Sequence, residues 1–220
     1  MVYKLVCFDV DGTLVDNIVY SWELFHNAFE IDMNKRKHAK EKFYKGEITY
    51  SEWAEHDIGM WKEKGVTKRD FEKAMIKANI KLMNGALETI QTIKQAGLKL
   101  AIVSGTVSVI LDHLLPNYKE LFDDYYLSQM FFDEDGKFMK AHVTEYDMGL
   151  KAEALKLVAK KHNFEMEECV FIGDHHNDIQ IAKEAGLAIA FDAKDEELKR
   201  VADIVIDKKD LREILKHIPL

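Results

Sequence analysis

Proline and cysteine are scarce in this chain of 220 residues, two of each, and glycine occurs only eleven times. So little proline and glycine excludes collagen-like and low-complexity architectures, and two cysteines exclude a disulfide-held scaffold. Cys7 and Cys169 each fall inside an apolar run, the setting of separate buried thiols and not of a bridge. Long hydrophobic runs are missing too. Residues 185–191 form one of the longest, far below the ~20 residues that a bilayer span requires. Residues 1–8 are apolar, but Asp9 ends the run before a signal-peptide core can form, so a cytoplasmic location is expected. Positive charge is in deficit, with 31 Lys and Arg against 39 Asp and Glu, a net of −8. That sign argues against nucleic acid and against an anionic membrane as partners.

What is present suits a globular chain. Apolar residues make up 47% and charged residues 32%, enough for a core and a solvated surface. At ~150 residues per domain, the length allows one domain plus a large insertion. Residues 2–8 are β-branched and apolar, as a strand buried on both faces requires. From 16 to 83 the spacing turns helical. Trp22, Phe25 and Phe29 recur at i, i+3 and i+7, and helices are expected at 17–30, 34–45, 49–64 and 67–81. Thr49 and Glu52 have the spacing of a capping box, and Gly46 and Gly65 punctuate the segments. This stretch holds 13 Lys and Arg against 12 Asp and Glu, whereas the rest of the chain holds 18 against 27.

After Asn84-Gly85 the pattern alternates. Helices are expected at 86–96, 107–115, 151–162, 177–185, 195–201 and 209–216, and strands at 98–103, 125–128, 169–172, 187–191 and 203–206. Asp133-Glu134-Asp135-Gly136 reads as a hairpin turn, since it lacks the frame of about twelve residues that a calcium loop needs. Strands separated by helices imply right-handed crossovers and a parallel sheet, so the expected fold class is α/β.

Ligands of such sheets bind beyond the carboxyl ends of the strands. One strand ends in Asp9-Val10-Asp11-Gly12-Thr13, another in Ser104-Gly105-Thr106, and a later one in Gly173-Asp174-His175-His176-Asn177-Asp178. If these strands are neighbours, Asp9, Asp11, Asp174 and Asp178 share one rim. Two carboxylates about 4 Å apart repel by ~4 kcal/mol at an effective dielectric near ~20, a cost that a divalent cation removes. All-oxygen donors suit Mg²⁺ better than zinc. Any one of these motifs alone is explained by helix caps and turns. Three in this order are not.

Together the motifs resemble those of the haloacid dehalogenase-like (HAD) hydrolases. Asp9–Thr13 is similar to the family's first motif, Ser104-Gly105-Thr106 to the second, Lys151 to the third and the Gly173–Asp178 run to the fourth. The context of Ser104-Gly105-Thr106, the turn at Asp135-Gly136 and the tail at 202–215 most resemble the phosphoserine phosphatases. The resemblance implies a Rossmann-like, doubly wound core from residues 1–15 and 84–220, with an inserted all-α cap of four helices (the C1 type) at 16–83. It also implies a Mg²⁺-dependent phosphomonoester phosphatase that works through an aspartyl-phosphate on a small phosphorylated metabolite. In that scheme Asp9 is the nucleophile and Asp11 the general acid, later the base. Mg²⁺ is held by the Asp9 carboxylate, the Asp11 backbone carbonyl and Asp174, with Asp178 behind them.

The residue types allow this chemistry. A carboxylate nucleophile divides one hard step into two easier ones. The turn at Gly12 brings Asp11 towards the leaving oxygen. Ser104 offers a hydroxyl and Gly105 an N–H expected at a helix N-terminus, an anion site. Lys151 is a flexible point charge for phosphate, and Asn177 is placed to bond phosphate or the Asp9 carboxylate. His175 and His176 lack the third and fourth ligands of a zinc site and read as loop residues beside the metal. The Trp/Phe/Met stripe at 22–61 reads as the cap's own small core.

Two positions depart from the phosphoserine phosphatases. Where those enzymes carry a Glu after the first motif this chain has Ile18, and where they carry a cap Arg it has Asp57; Arg36 and Arg69 are the only arginines in the stretch. Without a carboxylate for the ammonium and an arginine for the carboxylate, a different small phosphomonoester is expected, one with an apolar or aromatic portion. Phosphoserine phosphatase proper, a phosphotransferase or mutase, and a non-catalytic phosphate-binding protein are the other readings. A monomer or a homodimer is compatible with the sequence.

Overall fold

The structure, a computed structural model, describes residues 2–220. The chain opens with β1 (Leu5–Phe8) and a two-residue strand β2 (Val15–Asp16). Four helices follow: α1 (Ser21–Ala28), α2 (Met33–Tyr44), α3 (Tyr50–Lys64) and α4 (Lys68–Lys77). A short β3 (Lys81–Leu82) runs antiparallel to β2, so the chain leaves and re-enters the sheet side by side. Then come α5 (Ala86–Gln95), β4 (Lys99–Val107), α6 (Val109–Leu114), α7 (Tyr118–Leu121), β5 (Asp124–Phe132) and β6 (Phe138–His142). The rest is α8 (Lys151–His162), β7 (Cys169–Gly173), α9 (Ile179–Glu184), β8 (Leu187–Phe191), α10 (Glu196–Val201) and β9 (Ile204–Ile206).

Seven strands form one sheet in the order β6-β5-β4-β1-β7-β8-β9, parallel except for β6. β1 lies between β4 and β7, with Phe8 opposite Ile102 on one side and Ile172 on the other. The strand order therefore reverses at β1, where doubly wound sheets open a crevice beyond the strand ends. Both faces are covered. Leu5 and Cys7 pack with Ala101, Val103 and Leu155, while Val6 and Phe8 pack with Leu100, Ile102 and Ile90. Two-sided burial explains why these strands read as unbroken apolar runs. Cys7 and Cys169 are unbridged thiols in this interior, and burial pushes Cys169 up to about 12.

Several elements differ from the sequence pattern. β4 continues to Val107, with a register shift against β5 between Val103 and Val107, so Ser104–Thr106 lie in a strand extension. The pair β2–β3 escaped because two residues carry no periodicity, and β3 begins at Lys81, the last residue of the segment expected as the fourth helix. The 211–216 segment winds as a 3₁₀ turn, not an α-helix. The turn at 133–136 does join β5 to β6, with the Gly136 N–H donating to the Asp133 carbonyl at 3.0 Å.

The helical stretch keeps its expected punctuation. The Glu52 N–H donates to Thr49 Oγ1 at 3.2 Å and the Thr49 N–H to Glu52 Oε2 at 2.7 Å, closing the capping box of α3. Its aromatic stripe, however, does not form a private core. Trp61 stacks on Trp22 at 5.1 Å between ring centroids and meets Phe71 edge-on, and Phe71 in turn packs on Phe132 and Phe138 of the β5–β6 hairpin. The hairpin also pairs with the start of α4, where the Lys68 N–H donates to the Gly136 carbonyl at 2.7 Å. Among the described residues no helix is long and apolar enough to cross a membrane.

Candidate active site

β1 carries the chain to Asp9, whose N–H donates to the Ile172 carbonyl at 2.9 Å. The backbone then turns sharply. The Gly12 N–H donates to the Val15 carbonyl at 2.9 Å, and Gly12 adopts φ +79°. A β-carbon on Gly12 would overlap the Asp174 carboxylate, so this approach needs glycine for space as well as for dihedral.

β7 ends at the same level and delivers Asp174. One carboxylate oxygen each from Asp9, Asp174 and Asp178 lie within 4.8 Å of one another, all three buried. Lys151, in the first turn of α8, is fully buried against them. Its ammonium donates to Asp178 Oδ1 at 2.7 Å and stands 3.0 Å from Asp9 Oδ1. The other Asp178 oxygen accepts the N–H groups of Asp174 at 2.9 Å and His175 at 3.0 Å. Asp178 is thus committed to the protein. Both oxygens of Asp174 are buried without a hydrogen-bond partner among the described residues, and Oδ1 of Asp9 has only the Lys151 ammonium beside it.

Burial drives Asp174 well above the ordinary carboxylate range, and the charges of Asp178 and Asp9 add to the rise. Burial also pushes Asp178 up to about 6 against the pull of Lys151. For Lys151 the desolvation opposes the charge, but Asp178 and Asp9 outweigh it and hold the ammonium above its usual range. One cation faces three carboxylates. Bare, buried oxygen donors with excess negative charge are the setting of a hard divalent cation, and the donor set fits one.

Asp11 faces a different environment from Asp9, two residues before it. Its Oδ1 accepts the Thr106 hydroxyl at 2.7 Å, and its Oδ2 accepts the Ser21 N–H, at the start of α1, also at 2.7 Å. Burial pushes Asp11 up to about 7, although the bond from Thr106 pulls the other way. The nearby Asp9 charge adds to the rise. Such a carboxyl exchanges protons near neutrality.

Thr106 brings β4 against Asp11, but Ser104 and Gly105 do not stand at a helix N-terminus, because β4 extends through them. Ser104 Oγ accepts the Thr106 N–H at 3.3 Å, and the Gly105 carbonyl accepts Trp22 Nε1–H at 2.9 Å. Asn177 does not bond Asp9. Its Nδ2 donates to Asp147 Oδ1 at 2.7 Å. Asp147 went unmarked in the sequence, as did Tyr50, whose hydroxyl donates to Asp147 Oδ2 at 3.1 Å. No motif spacing points to either. His175 binds the Tyr20 hydroxyl at 2.7 Å through Nδ1, burial lowers its pKa, and His176 turns outward to Asp195.

A cavity opens beside this centre, with Tyr20, Trp22, Tyr50, Trp53, Arg36 and Asp57 in its wall. Arg36 comes from α2, one helix before Asp57 in α3. Its Nε donates to Asp57 Oδ2 at 3.1 Å, and its guanidinium lies 5.9 Å from the Trp53 ring centroid. Asp57 is therefore neutralised within the wall. Ile18 is buried in the apolar core.

A sequence profile of the haloacid dehalogenase-like hydrolases matches residues 3–186, a span that takes in every motif above. The chain belongs to this family. It is 34% identical over 218 residues to a phosphoserine phosphatase of Methanocaldococcus jannaschii, covering 98% of this chain and 97% of that one. A substrate-bound phosphoserine phosphatase complex superposes with a TM-score of 0.75 at 30% identity, covering 100% of both chains. A phospho-aspartyl intermediate analogue of phosphoserine phosphatase gives 0.74, again at 30% and over 100% of both. Within the family the chain falls in the phosphoserine phosphatase-like subgroup, and it is a hydrolase of phosphoric monoesters.

Proposed function

We propose that this phosphatase attacks small phosphomonoesters with Asp9 and regenerates itself by hydrolysing the aspartyl-phosphate. An oxygen of Asp9 bonds to phosphorus as the bond from phosphorus to the alcohol oxygen breaks, and Asp11 gives its proton to that departing oxygen. Asp11, now a carboxylate, takes a proton from the water that attacks phosphorus. The Asp9–phosphorus bond then breaks and orthophosphate leaves. The observation that carries this reading is the seat of Asp11, beside Asp9 yet held by Thr106 and Ser21.

Lys151, Ser104, Gly105 and Asn177 are proposed to hold the phosphoryl oxygens. Mg²⁺, held by Asp9, Asp174 and the Asp11 carbonyl with Asp178 behind, would neutralise charge on the transferring group. The bare oxygens of Asp174 support that assignment. Residues 16–83 are proposed to act as a cap over the crevice, in a cytoplasmic monomer or homodimer. Two groups from this stretch support it: the Ser21 N–H on Asp11 and the Trp22 indole on Gly105.

The leaving alcohol is proposed to occupy the cavity against Trp22 and Trp53. Arg36 and Asp57 neutralise each other there, which supports an alcohol with an apolar or aromatic portion over a zwitterionic amino acid. The phosphoserine phosphatases among its relatives make phosphoserine the first compound to compare. The test is Mg²⁺-dependent release of free phosphate from p-nitrophenyl phosphate, lost in Asp9→Asn, followed by a phosphometabolite panel. Phosphate passed to an acceptor would make the protein a phosphotransferase, and a kcat/KM for phosphoserine well above all others would overturn the substrate reading.

A further inference from the structure

Asp147 lies outside the four motifs, yet it sits among the groups proposed to hold the phosphoryl. Its Oδ1 accepts from Asn177 Nδ2, and its Oδ2 accepts from the Tyr50 hydroxyl. The same Oδ2 lies so close over Gly105 that a β-carbon there would overlap it. Asp147 is only 8% exposed, and its charge is among those acting on Lys151. A carboxylate is therefore seated where Gly105 and Asn177 converge. Tyr50 is the first residue of α3, so the contact also fastens that helix to the loop between β6 and α8.

We infer that Asp147 is an internal competitor for the phosphoryl seat. Its carboxylate withdraws from Gly105 and Asn177 before a phosphoryl group takes those contacts, and it lets go of Tyr50 as it does so. The inference rests on the phosphatase reading above, since it takes Gly105 and Asn177 as phosphoryl-binding groups. A carboxylate and a phosphoryl group both seated at Gly105 and Asn177 would be two anions in contact, and like charges in contact within a buried crevice repel more strongly than in water. Product orthophosphate meets the same competitor, so returning Asp147 to its seat expels product as well as opposing substrate.

The experiment compares wild type with Asp147→Asn and Tyr50→Phe in the full chain with Mg²⁺. Orthophosphate binding is read by calorimetry, alongside kcat and KM for p-nitrophenyl phosphate. Asp147→Asn keeps the side-chain volume and removes the charge, so orthophosphate binds about tenfold more tightly and KM falls. Tyr50→Phe loosens the carboxylate without touching its charge and moves both quantities in the same direction by less. Orthophosphate binding that is unchanged or weaker in Asp147→Asn overturns the inference. Should that variant fail to fold, Tyr50→Phe decides alone: tighter binding supports a competitor, and unchanged or weaker binding overturns it. Absence of turnover in wild type counts against the phosphatase reading. Turnover with an orthophosphate affinity insensitive to both substitutions counts against Asp147 only.

Discussion

Lys151 donates to Asp178 at 2.7 Å with neither side chain exposed to solvent, and the same ammonium stands 3.0 Å from Asp9. One cation thus holds together the start of α8, the end of β1 and the turn that leads into α9. Removing it leaves two buried carboxylates without their counter-charge, a change that costs about 3–5 kcal/mol when a buried pair is broken from one side. Lys151→Met is expected to lower stability by that order in urea unfolding and to abolish turnover. A variant with wild-type stability would show that the pair does not hold the site together.

The two acids of the first motif separate by kinetics. Asp9→Asn is nearly isosteric and is expected to abolish turnover while leaving the thermal transition in place. Asp11→Asn removes only the proton donor and is expected to slow turnover by about 10²–10⁴-fold. Acid function needs protonated Asp11, so the first step falls as pH rises through about 7. Rapid-quench measurement of aspartyl-phosphate formation should show this limb in wild type and not in Asp11→Asn.

Stability should depend on pH and on metal together. The folded protein holds Asp178 at about 6 and Asp11 at about 7, both raised mainly by burial, above the ordinary carboxylate range. The native state therefore binds more protons than the unfolded chain between pH ~4 and ~7, and stability falls as pH rises across that window. In chelator, the Tm is expected to be higher at pH 5 than at pH 8. Mg²⁺ should recover about 5 °C or more at pH 8 and much less at pH 5, measured by calorimetry. A Tm that climbs with pH in chelator would contradict the arrangement.

Gly12→Ala tests the approach of the first loop to Asp174. Alanine at φ +79° is strained, and its β-carbon collides with the very carboxylate that has no other partner. The expected outcome is a folded protein that no longer gains Tm from Mg²⁺ and turns over slowly. Retained Mg²⁺ stabilisation in this variant would show that Asp174 is not a ligand.

Much of this molecule was legible in its residues. Two-sided burial left β1, β4 and β7 as unbroken apolar runs, and the acids and turn formers that end them marked the rim of the sheet. The capping box at Thr49 and Glu52 placed the start of α3, because an N-cap is a local contract between neighbouring residues. Local chemistry of this sort needs no tertiary context.

Tertiary structure decided everything that depends on which side chains meet. Strand order put β1 between β4 and β7, and only that adjacency brought Asp9 and Asp174 together across some 165 residues of chain. Arg36 reached Asp57 from another helix, Asn177 turned to Asp147 instead of Asp9, and Ser104–Thr106 stayed in an irregular strand. Periodicity reports which face of an element is buried but carries no record of what lies against it. Pairings between distant polar groups are set by packing and by desolvation, and both exist only once the chain has closed.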